Sequence, residues 1–443
     1  MTSTPSPVDV GRVLDEGSWG PQQKVFVLLT ALTVVFDGID NQLLGIAVPA
    51  IMREWTLPRG AFAPVVASGM IGMMIGGAIA GLVGDRIGRR AAMIGSVIVF
   101  GVMTLAAVLA GGVYMLCVLR FLAGLGLGGA IPNAAALASE YVPRRHRPLA
   151  VTLTIVCVPL GATIAALLGG QVLPTLGWRA LFSIGGVMPL IFAVLLWRAL
   201  PESPRYLARH PERWPELARI LRRIGATVPA DVRFVDETEK AVAVSTRALF
   251  TPDLRRDTFA LWGAFFSCLL AVYTAFNWVP TMMTEAGLAM SVATNSLAAF
   301  NLGGVAGAIA GGLIIARVGS RATMLSMTAA AIATAIGLAV MPLDPSASHV
   351  PIIVLLGIAG ALINGVQTTM YALAAHVYPT AIRATGVGTA VAIGRAGGVL
   401  SSYTGAWALE AGGSAAFFAA IAGALFVAFC SLAVVKKHVP VIR

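Results

Sequence analysis

Twelve apolar stretches follow one another along this chain, each of a length that lets an α-helix cross a hydrocarbon core of ~30 Å. They fall near 25–52, 62–83, 91–110, 113–137, 149–170, 178–200, 257–281, 291–315, 322–342, 351–375, 384–407 and 413–435. The fold class that follows is an all-α integral membrane protein. Composition agrees, with 58% hydrophobic and 12% charged residues against ~25% charged in soluble domains. A net charge of +11 would suit a nucleic-acid partner, but its placement argues otherwise. With the N-terminus inside, 25 of the 31 Lys and Arg residues lie in cytoplasmic segments, and only Arg53, Arg59 and Arg179 lie opposite. That asymmetry is a topology signal, which excludes a nucleic-acid patch and puts both termini in the cytoplasm. Residues 1–23 are polar and contain proline, unlike a cleavable signal peptide, so the first span is expected to remain in the membrane. Cys117, Cys157, Cys268 and Cys430 all sit in apolar spans without metal-ligand spacing, so no metal or cofactor is expected.

Against this background the first span carries an anomaly, Phe36-Asp37-Gly38-Ile39-Asp40-Asn41. Asp37 lies thirteen residues from Lys24 and Asp40 thirteen from Arg53, so both are near mid-membrane. The i, i+3 spacing puts them on one helix face, with Gly38 between them permitting close approach by a neighbour. A carboxylate at that depth faces a cavity, a partner or a proton path. The competing reading is a structural pair, hydrogen-bonded inside a bundle.

The chain also repeats itself. Gly81-Leu-Val-Gly-Asp85-Arg86-Ile-Gly88-Arg89-Arg90 is echoed by Gly312-Leu-Ile-Ile-Ala316-Arg317-Val-Gly319-Ser320-Arg321, with an offset of 231. The stretch 137–143 is echoed by 373–379 at an offset of 236, pairing Glu140 with His376 and Arg147 with Arg383. A duplicated half implies two pseudo-symmetric six-helix bundles, 1–200 and 257–443, joined by a cytoplasmic linker at 201–256, with substrate held between them. Gly124-Leu-Gly126-Leu-Gly128-Gly129 contains a GxGxxG pattern, but within an apolar helix it reads as helix packing, not nucleotide binding.

These motifs, with Pro201-Glu202-Ser203-Pro204-Arg205-Tyr206-Leu207, resemble those of the major facilitator superfamily over essentially the whole chain. Asp37-Gly-Ile-Asp40, Tyr378-Pro-Thr-Ala-Ile-Arg383-Ala-Thr-Gly386 and Gly394-Arg395-Ala-Gly-Gly resemble more narrowly the aromatic acid:proton symporter family. That family includes permeases for 4-hydroxybenzoate, protocatechuate, benzoate and hydroxyphenylpropionate. The resemblance implies a proton-coupled importer of an aromatic carboxylic acid, working by alternating access in the bacterial cytoplasmic membrane. Ile39 stands where Phe or Tyr is common, and Asn41-Gln42 follows, so the substrate pocket departs from the family pattern.

The residues themselves fit such a task. Arg395 lies eleven residues from Ala384, ~16 Å into the core, where a permanent cation needs an anion. Its planar fork suits a substrate carboxylate, and the alternative is a fixed Arg–Asp tie between the halves. Arg120, deep in the fourth span, is the next candidate. Asp37 and Asp40 are the leading proton carriers, with Glu140 a weaker one, because a carboxyl shielded from water holds its proton more readily. Asn41, Gln42, Tyr273, Asn277, Trp278, Asn301, Asn364, Gln367 and Tyr371 offer apolar walls with polar tips for a substituted ring, or ordinary interhelical bonds. Asp85, Arg86, Arg89, Arg317 and Arg383 are expected to gate. The expected partners are the aromatic acid, protons and membrane lipid, and the working unit is expected to be a monomer. Rival readings are a sugar, polyol or other organic-acid symporter, or a multidrug exporter of the same superfamily. Neutral sugars do not call for Arg395, and Val158-Pro159-Leu160-Gly161 does not match the exporter pattern. An enzyme is not expected, since no catalytic triad, metal cluster or phosphate loop is legible.

Overall fold

Hydrocarbon offers no partner for a bare N–H or C=O, so a chain crossing it must satisfy its backbone within its own segment, as a helix does. The computed structural model describes residues 8–226, 228, 233–236, 246–379 and 382–440. Its helices are α1 (Val10–Glu16), α2 (Pro21–Trp55), α3 (Arg59–Ile87), α4 (Arg89–Ala106), α5 (Val113–Tyr141), α6 (Arg147–Ala199) and α7 (Pro204–Ala208). They continue with α8 (Trp214–Arg223), α9 (Arg255–Glu285), α10 (Met290–Val318), α11 (Ser320–Val340), α12 (Val350–Val377) and α13 (Arg383–Val434). Ten of these are long and apolar enough to cross a membrane. Two of the ten, α6 and α13, are each a pair of helices joined directly at a turn, where the backbone leaves helical angles at Gly177 and at Gly412-Gly413, and each pair makes two crossings. The twelve crossings match the twelve apolar stretches, and an even number leaves both chain ends on one side, here called the terminal end.

The duplication is visible in the backbone. Gly88 and Gly319, 231 residues apart, close α3 and α10 with φ of 99° and 87°. Gly177 and Gly413, 236 residues apart, are the kinks of α6 and α13, with φ of 75° and 60°. Only glycine takes such angles without strain, so both halves turn at equivalent places for the same reason. Within the first half α2 packs on α6, and α5 on α3 and α4. Correspondingly, α9 and α11 pack on α13, and α10 on α12. These are two pseudo-symmetric six-helix bundles.

Helices in lipid gain little from burying apolar faces against one another, so small residues that allow close approach carry the packing. The glycine-rich stretch of α5 lies against α3, and a Cβ on Gly128 would stand 2.2 Å from the Met73 carbonyl oxygen and 2.6 Å from the Gly77 nitrogen. Across the molecule, α2 meets α9, α3 meets α13 and α6 meets α10. At the end away from the termini, Arg59 pairs with Glu285 at 2.7 Å and donates to the Leu409 carbonyl at 3.0 Å. Beside it the Gly60 amide donates to Glu410 at 3.2 Å, and together these bonds close the halves at this far end.

The linker is not wholly helical. Phe234–Val235 pairs in parallel with Val8–Asp9, a two-residue β-ladder that ties the linker to the start of the chain. Asp15 in α1 pairs with Arg147, and with Arg205 at 3.7 Å. The amphipathic α8 buries Leu217, Ile220 and Leu221.

Gly128→Leu is expected to cost about 1–3 kcal/mol by overpacking against α3, read as a lower apparent melting temperature in detergent. An unchanged melting temperature would show that α3 and α5 have room to part.

Candidate functional site

Between the halves, on the terminal side of the far-end contacts, lies a cavity of about 300 Å³. The first half contributes Asp37 and Asn41 from α2, Met73 from α3, Ile131 and Pro132 from α5, and Val158 and Pro159 from α6. Facing them are Tyr273 and Phe276 from α9, Asn301 from α10, Asn364, Gln367 and Tyr371 from α12, and Arg395 from α13. Eight of the residues singled out in the sequence thus share one wall-to-wall space.

Asp37 is the conspicuous member. It is 0% exposed, and neither carboxylate oxygen has a hydrogen-bond partner among the described residues. Its orientation follows from Gly38, where a Cβ would stand 2.2 Å from the Val158 carbonyl oxygen, so α2 lies flush against α6. Across the cavity, half-buried Arg395 donates through Nη1 to the backbone oxygen of Met73, in the other half. Arg395 and Asp37 are not hydrogen-bonded to each other.

Asp40 behaves differently. Thr104 donates its hydroxyl to Oδ1, Arg120 Nη2 lies 3.6 Å from Oδ2, and the same Nη2 donates to Thr104 at 2.7 Å. The guanidinium also sits 5.1 Å from the centroid of the Phe182 ring. Both charges are buried, Arg120 at 4% exposure and Asp40 at 0%. The expectation that Asp37 and Asp40 share a face therefore needs correction. At ~100° per residue, three residues leave the two side chains ~60° apart, enough to aim one at the cavity and the other at α4 and α5.

Other expected site residues also lie elsewhere. Arg120 is consumed by Asp40 and does not line the cavity. Gln42 bridges the halves, donating to the Phe276 carbonyl at 2.9 Å and accepting from Asn301 at 3.3 Å. Asn277 borders, with Arg120, a separate void of about 20 Å³. Trp278 is fully buried beneath Gly405, off the cavity wall. Glu140 sits at the terminal end, accepting from Ser203 Oγ, with Arg89 Nε at 3.9 Å.

That terminal-end cluster assembles the first-half motif. Arg89 Nη2 pairs with Asp85 Oδ1 at 2.5 Å, and Arg89 Nη1 donates to Asn133 at 3.4 Å. Glu202 accepts from the Arg90 and Ser203 amides, both at 2.9 Å, and Tyr141 donates to the Glu202 carbonyl at 2.6 Å. Arg86 is exposed, as are Arg317 and Arg383 in the second half. At the second-half turn Ser320 instead exchanges bonds with Val439, its amide donating at 3.0 Å and its Oγ accepting at 2.8 Å. Sequence reasoning overlooked Thr104, Phe182, Glu202 and Ser203. The signal for the last two was the Pro201–Leu207 motif itself, read only for its resemblance. Among the described residues no group of three His, Cys, Asp or Glu side chains is placed to hold a metal ion.

Comparison with known proteins follows the same lines. The sequence pattern of the Major Facilitator Superfamily matches residues 30–402. The chain belongs to this superfamily, whose members are transporters. Within it, the chain is 36% identical to a 4-hydroxybenzoate transporter of Pseudomonas putida over 414 residues, 91% of each protein. It is 34% identical to a gallate transporter of the same organism, covering 92% of this chain and 90% of that one. A 3-(3-hydroxy-phenyl)propionate transporter of Escherichia coli strain K12 is 34% identical over 83% of both. Among solved structures, a D-xylose-proton symporter superposes with a TM-score of 0.68 at 17% identity, over 94% of this chain and 98% of that one. A bacterial homologue of the lysosomal transporter Spinster, inward-facing and unoccupied, gives 0.66 at 18% identity over 95% of each. At these identities the structural likeness shows the superfamily fold alone.

Removing one partner of a buried ion pair strands the other, so Arg120→Met and Asp40→Asn are each expected to cost about 3–5 kcal/mol. Asp37→Asn, which breaks no bond, is expected to leave the melting temperature unchanged or raised. Equal losses at positions 37 and 40 in a thermal-shift series would show that Asp37 has a structural partner after all.

Proposed function

We propose that this chain is a proton-coupled symporter that brings a hydroxybenzoate-like aromatic carboxylic acid into the bacterial cell by alternating access. The observation that carries this reading is the buried, partnerless carboxyl of Asp37 across one cavity from Arg395. The names of relatives at 34–36% identity support the same substrate class. A cavity of about 300 Å³ suits a single-ring acid. Tyr273, Phe276 and Tyr371 offer faces to an aromatic ring, and Asn41, Asn301, Asn364 and Gln367 offer polar groups to its substituents.

Arg395 receives the substrate carboxylate, its fork exchanging the Met73 carbonyl for two carboxylate oxygens. Asp37 carries the proton. Deprotonated, Asp37 competes with the substrate for the positive field of Arg395; protonated, it leaves that field to the incoming anion. Proton and substrate then favour each other by about 1–3 kcal/mol. Moving an anion into an inside-negative cell costs ~2.3 kcal/mol per 100 mV, which one accompanying proton cancels. Asp40 acts in this scheme as the counter-ion of Arg120, and a relay role for it or for Glu140 would require the Arg120 or Ser203 contact to open.

The basic-residue asymmetry assigns the terminal end to the cytoplasm. The far-end bonds of Arg59 then close the outside, and the cavity belongs to an inward-facing state. The halves 1–200 and 257–443 rock about it, with 201–256 as the linker. Both halves of a single chain line the cavity, which supports a monomer as the working unit. Asp85, Arg86 and Arg89, with Arg317 and Arg383 opposite, form the cytoplasmic gate.

A titration of acid and amide forms of one ligand against wild type and Arg395→Ala tests the anion site. Wild type is expected to prefer the acid by tenfold or more, and Arg395→Ala to lose that preference. Arg395→Lys, which keeps the charge without the fork, is expected to bind weakly too. Asp37→Asn is expected to retain binding and lose pH-gradient-driven accumulation. Normal accumulation by Asp37→Asn at wild-type expression, or equal loss of acid and amide in Arg395→Ala, would falsify the assignment.

The gates are tested separately. Arg59→Ala is expected to raise labelling of a cysteine placed at Asn41 by an impermeant reagent added outside. Asp85→Asn is expected to change turnover more than affinity. Unchanged labelling in the first case, or weakened binding with unchanged turnover in the second, would remove these residues from the gates.

A further inference from the structure

The membrane-facing surface of the second half carries a groove of about 580 Å³ between α9 and α13. Phe259, Trp262, Gly263, Phe266 and Leu270 form one wall, at intervals that keep them on one face of α9. Gly423, Ala424 and Val427 of α13 form the other. From Phe259 to Leu270 is eleven residues, or ~16 Å of helix, close to the ~15 Å depth of one leaflet's hydrocarbon. Small residues open the groove, and a Cβ built on Gly423 meets nothing within 4 Å. A furrow of this length cannot stay empty in a bilayer, and an acyl chain is what the surroundings supply.

The mouth of the groove has its own chemistry. Arg255 and Arg256 precede Phe259 by four and three residues and continue the groove's face toward the terminal end. Lys436 and Lys437 follow the end of α13, and all four side chains are exposed. Their acidic neighbour Asp257 is 2% exposed and accepts from the backbone amides of Lys436 and Lys437 at 2.8 and 3.4 Å. It therefore fastens the segment that bears the lysines. Arg256 Nε donates to the Val434 carbonyl at 3.0 Å, drawing the two helix ends together. Exposed Asp253 lies further out along the chain.

A second observation is independent of charge. Trp262 stands edge-on to Phe259 and Phe250, with centroids 5.7 and 5.8 Å apart, and its side chain lines the groove. Tryptophan favours the interfacial depth of a bilayer, level with the heads of the acyl chains.

We infer that the groove between α9 and α13 binds an anionic glycerophospholipid of the leaflet at the terminal end. One acyl chain lies over Gly263, Gly423 and Ala424 against the side chain of Trp262, and the phosphate meets Arg255, Arg256, Lys436 and Lys437. Basic clusters at this level favour anionic headgroups by a factor of about five per side chain. Nothing in the proposed transport cycle depends on this site, and the lipid binds whatever the cavity carries.

Brominated lipids test it, because bromine on an acyl chain quenches a tryptophan in contact. Wild type and Trp262→Phe are reconstituted in phosphatidylcholine vesicles containing a minor, equal fraction of brominated phosphatidylglycerol or brominated phosphatidylcholine. The quenching lost on Trp262→Phe is expected to be at least about fivefold greater with the anionic lipid. Arg255→Gln with Arg256→Gln, and separately Lys436→Gln with Lys437→Gln, are expected to reduce that preference. The lysine pair is bonded through its backbone, so its replacement leaves the Asp257 contacts in place. Gly423→Leu, whose Cβ would meet nothing within 4 Å, is expected to narrow the groove and reduce quenching by both lipids. Equal quenching of wild type by the two lipids, a preference untouched by both glutamine pairs, or full quenching in Gly423→Leu would overturn the proposal.

Discussion

A charge held where water does not reach must find an opposite charge, a dipole or a proton, and the centre of this protein is arranged around that requirement. Three buried or half-buried groups meet it in three ways. Asp40 and Arg120 neutralise each other inside the first half, with Thr104 between them. Arg395 leans on the backbone oxygen of Met73 across the cavity. Asp37 has no hydrogen-bond partner among the described residues. The first arrangement is a fixed tie within one rigid body and offers no resistance to motion between bodies. The other two are incomplete, and an incomplete site is one that a ligand or proton can finish.

The rest of the architecture keeps these groups in position. Close contact of α2 with α6 through Gly38 turns Asp37 inward, as Gly128 sets α5 against α3. The two halves touch through bonds of Arg59, Gln42 and Arg395, with the cavity lying between them. Close packing inside each half and sparse bonding between halves is the mechanical condition for bodies that move against each other.

Duplication of the fold has not produced duplicate chemistry. The first-half turn carries Asp85, Arg89 and, from neighbouring segments, Glu140 and Glu202. At the equivalent turn of the second half, Ala316 replaces the aspartate and Ser320 receives the segment that follows α13. Both turns are pinned by a segment that follows the sixth crossing of their half, through a carboxylate network in one and a serine in the other. The second pin also carries Lys436 and Lys437 to the mouth of the α9–α13 groove.

Several features were decided by the sequence alone: twelve crossings, two repeated halves, glycine turns at equivalent positions, and the presence of Asp37, Asp40, Arg120 and Arg395 at depth. These are legible because hydropathy, spacing and repetition are local properties, and a charge among apolar residues is visible without knowing its neighbours. Which way each side chain faces was decided only by the tertiary structure. The ~60° between Asp37 and Asp40 means nothing until α6 closes on one side of α2 and α4 and α5 pack on the other. Arg120 stood next after Arg395 as a candidate for an anionic substrate, and Glu140 was a weaker proton candidate than Asp37. What separates them is the company brought by distant segments, Asp40 and Phe182 for Arg120, and Arg89 and Ser203 for Glu140. The cost of a buried charge can be read from one helix, but what meets that cost depends on helices packed from elsewhere in the chain.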